Sequence, residues 1–178
     1  MKTNFRYALD VDGCCLDFAT AFIDYCKPLG INLYVEEVWN FFDQDSRSYD
    51  VFKNLTDDFW LTLKREEKSL DLRSTPVGYI SHRSCSEEVT KQSLLNAGFP
   101  DAPVKHVKYT EDKIKIAKEW EIDLFVDDRT STIVFFEENG INACVLDQLW
   151  NKRYNVSRIM TLGELNRSEE RRVGKECA

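Results

Sequence analysis

Two short apolar runs in this chain end abruptly in acid. Phe5-Arg6-Tyr7-Ala8-Leu9 runs into Asp10-Val11-Asp12-Gly13, and Ile122-Asp123-Leu124-Phe125-Val126 runs into Asp127-Asp128. Both runs have the aromatic and branched composition of strands, and Gly13 permits a tight turn after the first. Ligands of open α/β sheets sit outside the carboxyl ends of the strands. If these two strands are neighbours, three or four carboxylates converge on one point and repel one another unless a cation joins them. All-oxygen donors suit a hard divalent ion, and Mg²⁺ is the one that favours phosphate-bearing partners. A lone D-x-D-G could instead be a surface turn or a calcium-loop fragment. The calcium version fails, because no acids follow at the loop's spacing and no Glu closes it. The second acidic pair weighs against the surface turn.

Two other positions could work with these acids. Val77-Gly78-Tyr79-Ile80, after Pro76, predicts a third strand ending in Ser81-His82-Arg83-Ser84. A hydroxyl at a strand end, beside N–H groups that open a helix, is a natural holder for a phosphoryl oxygen. Ser84 or Ser86 serves as the cap ahead of Glu87-Glu88-Val89, leaving Ser81 for the site. Residues 111–120 read as a helix, with Ile114, Ala117 and Trp120 on one buried face. Lys113 lies at its start, where a cation opposes the helix dipole. Set over the acids, its ammonium would neutralise a carboxylate and a phosphoryl oxygen together; the alternative is a solvated lysine among Lys108, Lys115 and Lys118.

The elements that must position these residues alternate. After Ser81, a helix through Glu88, Leu94 and Leu95 ends at Asn96-Ala97-Gly98. A short strand over 104–109, a helix over 130–139 stopped by Gly140 and a last strand over 141–146 follow. This alternation predicts an α/β fold with a mainly parallel sheet covered on both faces. From Cys15 to about Thr75 the pattern changes to helical, aromatic sequence. Phe18, Ala21, Phe22 and Tyr25 recur at helical spacing, Pro28 and Gly30 mark the exit, and 35–42 and 57–63 supply further helices. Residues 1–15 and 76–166 are therefore expected to form the core, with 16–75 a small, mostly helical insert. Residues 167–178 are highly charged and lack apolar periodicity. They resemble a recurrent translated artefact of sequencing libraries and are expected to be non-native or disordered, outside the fold.

Taken in order, Asp10-Val11-Asp12-Gly13, Ser81, Lys113 and Asp127-Asp128 resemble the four motifs of the haloacid dehalogenase superfamily of aspartate-nucleophile phosphohydrolases. Asp17-Phe18, Glu88-Val89-Thr90 and Trp150-Asn151 narrow the resemblance to the 5′(3′)-deoxyribonucleotidases and their phage and bacterial nucleotidase-like relatives. The resemblance implies a Rossmann-like three-layer α/β/α core with residues 16–75 as a cap. It implies Asp10 as nucleophile, Asp12 as general acid and base, and Ser81 and Lys113 on the phosphoryl oxygens. Mg²⁺ would be held by the Asp10 carboxylate, the Asp12 backbone carbonyl and the Asp127 carboxylate, with Asp128 orienting water or Lys113. Phe18 matches the aromatic that stacks on the base of a nucleoside 5′-monophosphate. Asp127-Asp128-Arg129-Thr130 also resembles the 3′-phosphatase domain of polynucleotide kinases, so nucleic-acid 3′ ends are a rival substrate, as are small phosphorylated metabolites. A non-catalytic binding module of the same fold is a third reading. Two positions depart from the family pattern: Cys14 stands where Thr or Val is usual, and His82 separates Ser81 from Arg83.

Composition bounds the partners. The 178 residues are 43% hydrophobic and 12% aromatic, ample for one packed core. A net charge of −7 argues against a broad nucleic-acid-binding face and weakens the polynucleotide rival. No apolar run approaches the roughly 20 residues that cross a bilayer, and no secretory segment follows the start. Six cysteines lack paired zinc spacing and read as reduced thiols in the cytoplasm. His82 and His106 are the two histidines, which argues against a histidine metal centre. The expected partner is a small phosphomonoester, with no membrane, no extended nucleic acid and a homodimer allowed.

Overall fold

A computed structural model describes residues 5–37 and 39–166 of the chain. The charged tail at 167–178 lies outside the described residues. Six parallel strands form one sheet in the order β3-β2-β1-β4-β5-β6. They are β1 (Tyr7–Leu9), β2 (Gly78–Ser81), β3 (Val104–His106), β4 (Leu124–Asp127), β5 (Ala143–Leu146) and β6 (Arg158–Ile159). The chain leaves β1 toward β2 and β3, then crosses back to β4 on the other side of β1. That reversal opens a crevice at the carboxyl ends of β1 and β4. Register completes the placement: Leu9 pairs with Val126 on one side and Tyr79 on the other. The Asp10 N–H donates to the Val126 carbonyl at 2.8 Å, which sets Asp10 beside Asp127.

The side chains of β1 alternate between two cores, as a strand's period of two requires. Tyr7 and Leu9 join one apolar cluster, and Ala8 joins the other. The second cluster lies under α6 (Thr110–Glu119) and α7 (Thr130–Glu138), which contribute Ile114, Ala117, Ile133 and Phe136. On the first face, α5 (Glu87–Asn96) contributes Leu94, and Leu162 and Leu165 pack beside it. Each of these Ile, Leu and Phe side chains, fully buried, contributes roughly 1.5–3 kcal/mol. Ser86 caps α5 by accepting from the Val89 N–H at 3.2 Å. The two-residue β6 is too short to leave a periodic signal in the sequence.

Between β1 and β2 run α1 (Phe18–Cys26), α2 (Phe41–Gln44), α3 (Arg47–Lys53) and α4 (Asp57–Leu61). Asp17 caps α1 by accepting from the Thr20 N–H, and Pro28 and a left-handed Gly30 end it through a 3₁₀ turn. The helix expected over 35–42 is not there: residues 31–37 are non-helical and α2 starts only at Phe41. Side-chain bonding explains the difference. Gln44 accepts from the Tyr34 N–H and donates to the Tyr34 carbonyl, both at 2.8 Å, while Asn40 bonds Glu36 and Gln44. These local bonds compete with a helical ladder. No helix among the described residues is long and apolar enough to cross a membrane.

Candidate active site

The sheet delivers its acids to one point. Carboxylate oxygens of Asp10, Asp127 and Asp128 lie within 4.8 Å of one another, all buried. Lys113, from the first turn of α6, donates to Asp10 Oδ1 at 2.7 Å and Asp127 Oδ2 at 2.8 Å. Those two ion pairs are what a lysine placed against its helix dipole gains in return. Burial pushes the Asp10 carboxyl up to about 7, against the opposing pull of Lys113 and with Asp127 adding to the rise. Burial, with the charges of Asp127 and Asp10, also holds Asp128 well above the ordinary carboxylate range. Burial works against ionisation at Asp127 too. There it is outweighed by the charge and hydrogen bond of Lys113 and by the Arg129 N–H, which donates to Oδ1 at 3.0 Å, so Asp127 lies below its usual value. The Lys113 ammonium is raised by its two carboxylates despite its own burial.

Asp12 stands apart from this cluster. Its carboxylate is forked by Arg83, with Nε to Oδ2 at 2.9 Å and Nη2 to Oδ1 at 2.6 Å. The guanidinium is itself buried, packed 4.6 Å over the Trp60 ring, with Thr90 at 3.4 Å. Thr90 in turn bonds His106 Nε2 at 2.9 Å. The third carboxylate beside Asp10 and Asp127 is thus that of Asp128, and Lys113 bonds those two rather than Asp128. Ser81 ends β2 buried, and among the described residues its hydroxyl has no hydrogen-bond partner.

A segment after β5 braces the acids from behind. Trp150 Nε1 donates to Asp128 Oδ2 at 3.0 Å, and Asn151 Nδ2 donates to the carbonyls of Asp128 at 2.9 Å and Leu146 at 2.8 Å. Gln148 Nε2 donates to the Gly13 carbonyl at 2.9 Å. Arg158 holds Asn151 Oδ1 at 2.9 Å and Asp147 Oδ1 at 2.7 Å. Sequence reasoning missed Arg83, Gln148 and Arg158 as members of the site. Trp150-Asn151 carried a family resemblance but no role. The available signal was a run of polar and indole donors directly after an apolar strand.

The acids open into a cleft of about 280 Å³. Asp10, Asp12, Ser81, Lys113, Asp127 and Asp128 all line it, and so does Phe18. Phe18 lies deep in an aromatic cluster, stacked on Phe22 at 5.0 Å and Trp60 at 5.7 Å, and only 3% exposed. Trp39, Phe42, Tyr49 and Phe52 complete the apolar wall, and His82, Lys108 and Arg129 bring basic groups to it. The arrangement can hold a hard cation and an anion at one end and a flat apolar group at the other.

No family model matches this chain, and no curated protein does. Solved structures resemble it in shape. A dehalogenase crystallised with an intermediate complex superposes with a TM-score of 0.56 at 11% identity, over 93% of this chain and 96% of that one. The 2-haloacid dehalogenase of Pseudomonas syringae pv. Tomato DC3000 gives 0.51 at 14% identity, over 94% and 99%. A β-phosphoglucomutase from Clostridium difficile gives 0.48 at 11% identity, over 97% and 99%. The two dehalogenases span nearly the whole chain, so this is the Rossmann-like α/β fold of the haloacid dehalogenases.

Proposed function

We infer that the chain is a Mg²⁺-dependent phosphomonoesterase acting on nucleoside 5′-monophosphates through an aspartyl-phosphate on Asp10. The observation that carries the reading is the cluster of three buried carboxylates with a single lysine ammonium, opening into an aromatic cleft. The donor set fits Mg²⁺: it is all oxygen, and three carboxylates against one ammonium leave two negative charges to offset. Asp10, Asp127 and Asp128 would hold the ion, with the Asp12 carbonyl as a further oxygen. When bound, it supplies charge neutralisation for the carboxylates and the phosphoryl group.

The chain's own residues account for the rest. An Asp10 oxygen attacks phosphorus in line, the ester P–O bond breaks, and Asp12 gives the leaving alkoxide its proton. Asp12 then takes a proton from water as that water attacks phosphorus. The bond to Asp10 breaks, releasing phosphate and restoring both carboxyl groups. Lys113 keeps a third N–H for a phosphoryl oxygen, and the unpaired Ser81 hydroxyl offers another donor. Residues 16–75 serve as the cap, with Phe18 and the aromatic wall shielding the base from water.

The fold's dehalogenase relatives raise halide displacement from carbon as a rival. That reaction needs a nucleophilic carboxylate but no carboxylate cluster around a cation, so the three acids favour phosphorus. Phosphate release should be assayed on nucleoside monophosphates, sugar phosphates and a 3′-phosphorylated oligonucleotide, beside halide release from a 2-haloacid, each with Mg²⁺ and with chelator. Turnover of nucleotides that needs Mg²⁺ and falls by roughly 10³-fold or more in Asp10→Asn is expected. Halide release in chelator, or an Asp10→Asn protein of near-normal rate, would overturn the reading.

A further inference from the structure

Asp128 is buried against a chain position that leaves it little choice of conformation. A Cβ added to Gly13 would lie 2.4 Å from Asp128 Oδ2, so backbone closes the carboxylate in on that side. On the other side Oδ2 accepts the Trp150 indole N–H at 3.0 Å. That bond holds the plane of the carboxylate whose oxygens face Asp10 and Asp127. The donor is fixed in turn. Trp150 is 8% exposed and sits in a 3₁₀ turn whose next residue, Asn151, bonds the Asp128 carbonyl. Its ring also meets Trp39 edge-on at 5.4 Å, and Trp39 lines the cleft.

We propose that Trp150 is a positioning residue for the cation site: its indole N–H fixes the Asp128 carboxylate, and its ring supports the cleft wall through Trp39. This rests on the reading that the acid cluster binds Mg²⁺. Partners that orient a metal-ligating carboxylate typically govern affinity by about 10- to 100-fold. Trp150→Phe keeps an aromatic ring near Trp39 and removes the N–H donor together with the pyrrole half of the indole. Calorimetric titration of Mg²⁺ into this variant should show binding weakened by about tenfold or more. In kinetics, the apparent kcat at limiting Mg²⁺ should fall and recover as Mg²⁺ is raised, with substrate KM at saturating metal unchanged. In an Asp128→Asn background the same change should add little, since both act through one carboxylate. Wild-type and Trp150→Phe proteins that bind Mg²⁺ equally would overturn the proposal. A wild-type protein that binds no Mg²⁺ would overturn the metal reading itself, so the two failures are distinguishable. Should Trp150→Phe not fold, the wild-type chain still decides. Its four tryptophans give four indole N–H resonances, and one should shift saturably as Mg²⁺ is added. If none moves while calorimetry shows binding, Trp150 does not sense the site.

Discussion

Asp12 is joined to a guanidinium whose side chain is fully buried, while its own carboxylate remains 19% exposed toward the cleft. Geometry gives Arg83 a purpose here beyond charge. Two parallel N–H donors fix the plane of a carboxylate, which a single ammonium cannot do. Trp60 holds the guanidinium face, and the Thr90–His106 pair anchors its far edge. An acid–base group acts only if it points at the departing oxygen, and such groups contribute about 10²–10⁴-fold. Arg83→Lys should therefore keep the fold and lower kcat on nucleotides by about 10²-fold with little change in KM. A phosphomonoester with an activated leaving group needs less proton donation and should lose less. Equal losses on both substrates, measured by steady-state kinetics, would remove Arg83 from this role. Arg83→Met leaves Asp12 without its partner and should cost stability as well, about 3–5 kcal/mol on denaturant titration.

At the scale of elements, the turn after β1 does the most with the least sequence. The N–H groups of Cys14, Cys15 and Leu16 all reach the Val11 carbonyl, which requires the chain to double back at Gly13 with φ of +82°. Gly13→Ala meets two obstacles: a left-handed backbone costing about 1–2 kcal/mol, and a Cβ inside the Asp128 carboxylate. It should lower stability by about 2 kcal/mol or more and weaken Mg²⁺ binding with it, as thermal unfolding with and without the ion would show. Unaltered Mg²⁺ binding in this variant would mean that Asp128 is not confined as described. That turn was legible in the sequence, because D-x-D-G after an apolar run states its own geometry. Strands β1, β2, β4 and β5 and helices α1, α5, α6 and α7 were legible for the same reason, each carrying a period and a stop signal. The connection from 31 to 44 was not, because Gln44 satisfies the Tyr34 backbone from ten residues away and no periodicity records such a bond. Nor was the Asp12–Arg83 fork, since its partners lie 71 positions apart in the chain and meet only once β1 and β2 are paired. The brace at Gln148, Trp150 and Asn151 was hidden likewise: its targets, Gly13 and Asp128, belong to other strands' ends.

For the whole molecule, gathering these acids at the sheet's crossing point opposes folding, and the sign of that effect can be worked out. Burial pushes the Asp10 carboxyl up to about 7 in the folded chain, against about 4 for an exposed carboxyl when unfolded, and raises Asp128 as well. Between those values the folded state binds more protons than the unfolded one, so metal-free stability falls as pH rises from about 4 to 7. Asp127 and Asp147 act oppositely. Lys113 outweighs burial at Asp127, and Lys68 and Arg158 outweigh it at Asp147, so both lie below their ordinary values. Their stabilisation is present above about pH 4 and is lost as pH falls through the lower folded values. In chelator, the melting temperature should therefore peak at about pH 4 and decline toward neutral pH. A divalent cation bound as proposed should reverse the upper half of this profile, because it would bind the same carboxylates in their ionised form and compete with protons for them. At 100 times its dissociation constant, an ion that binds only the folded chain adds about 2.7 kcal/mol, which for a chain of this size is roughly 5–10 °C. That gain should be largest at pH 8 and shrink toward pH 5, as calorimetric melts with Mg²⁺ and with chelator would record. A gain independent of pH would place the ion elsewhere than on Asp10, Asp127 and Asp128, because only a site that must shed protons to bind can lose its advantage in acid.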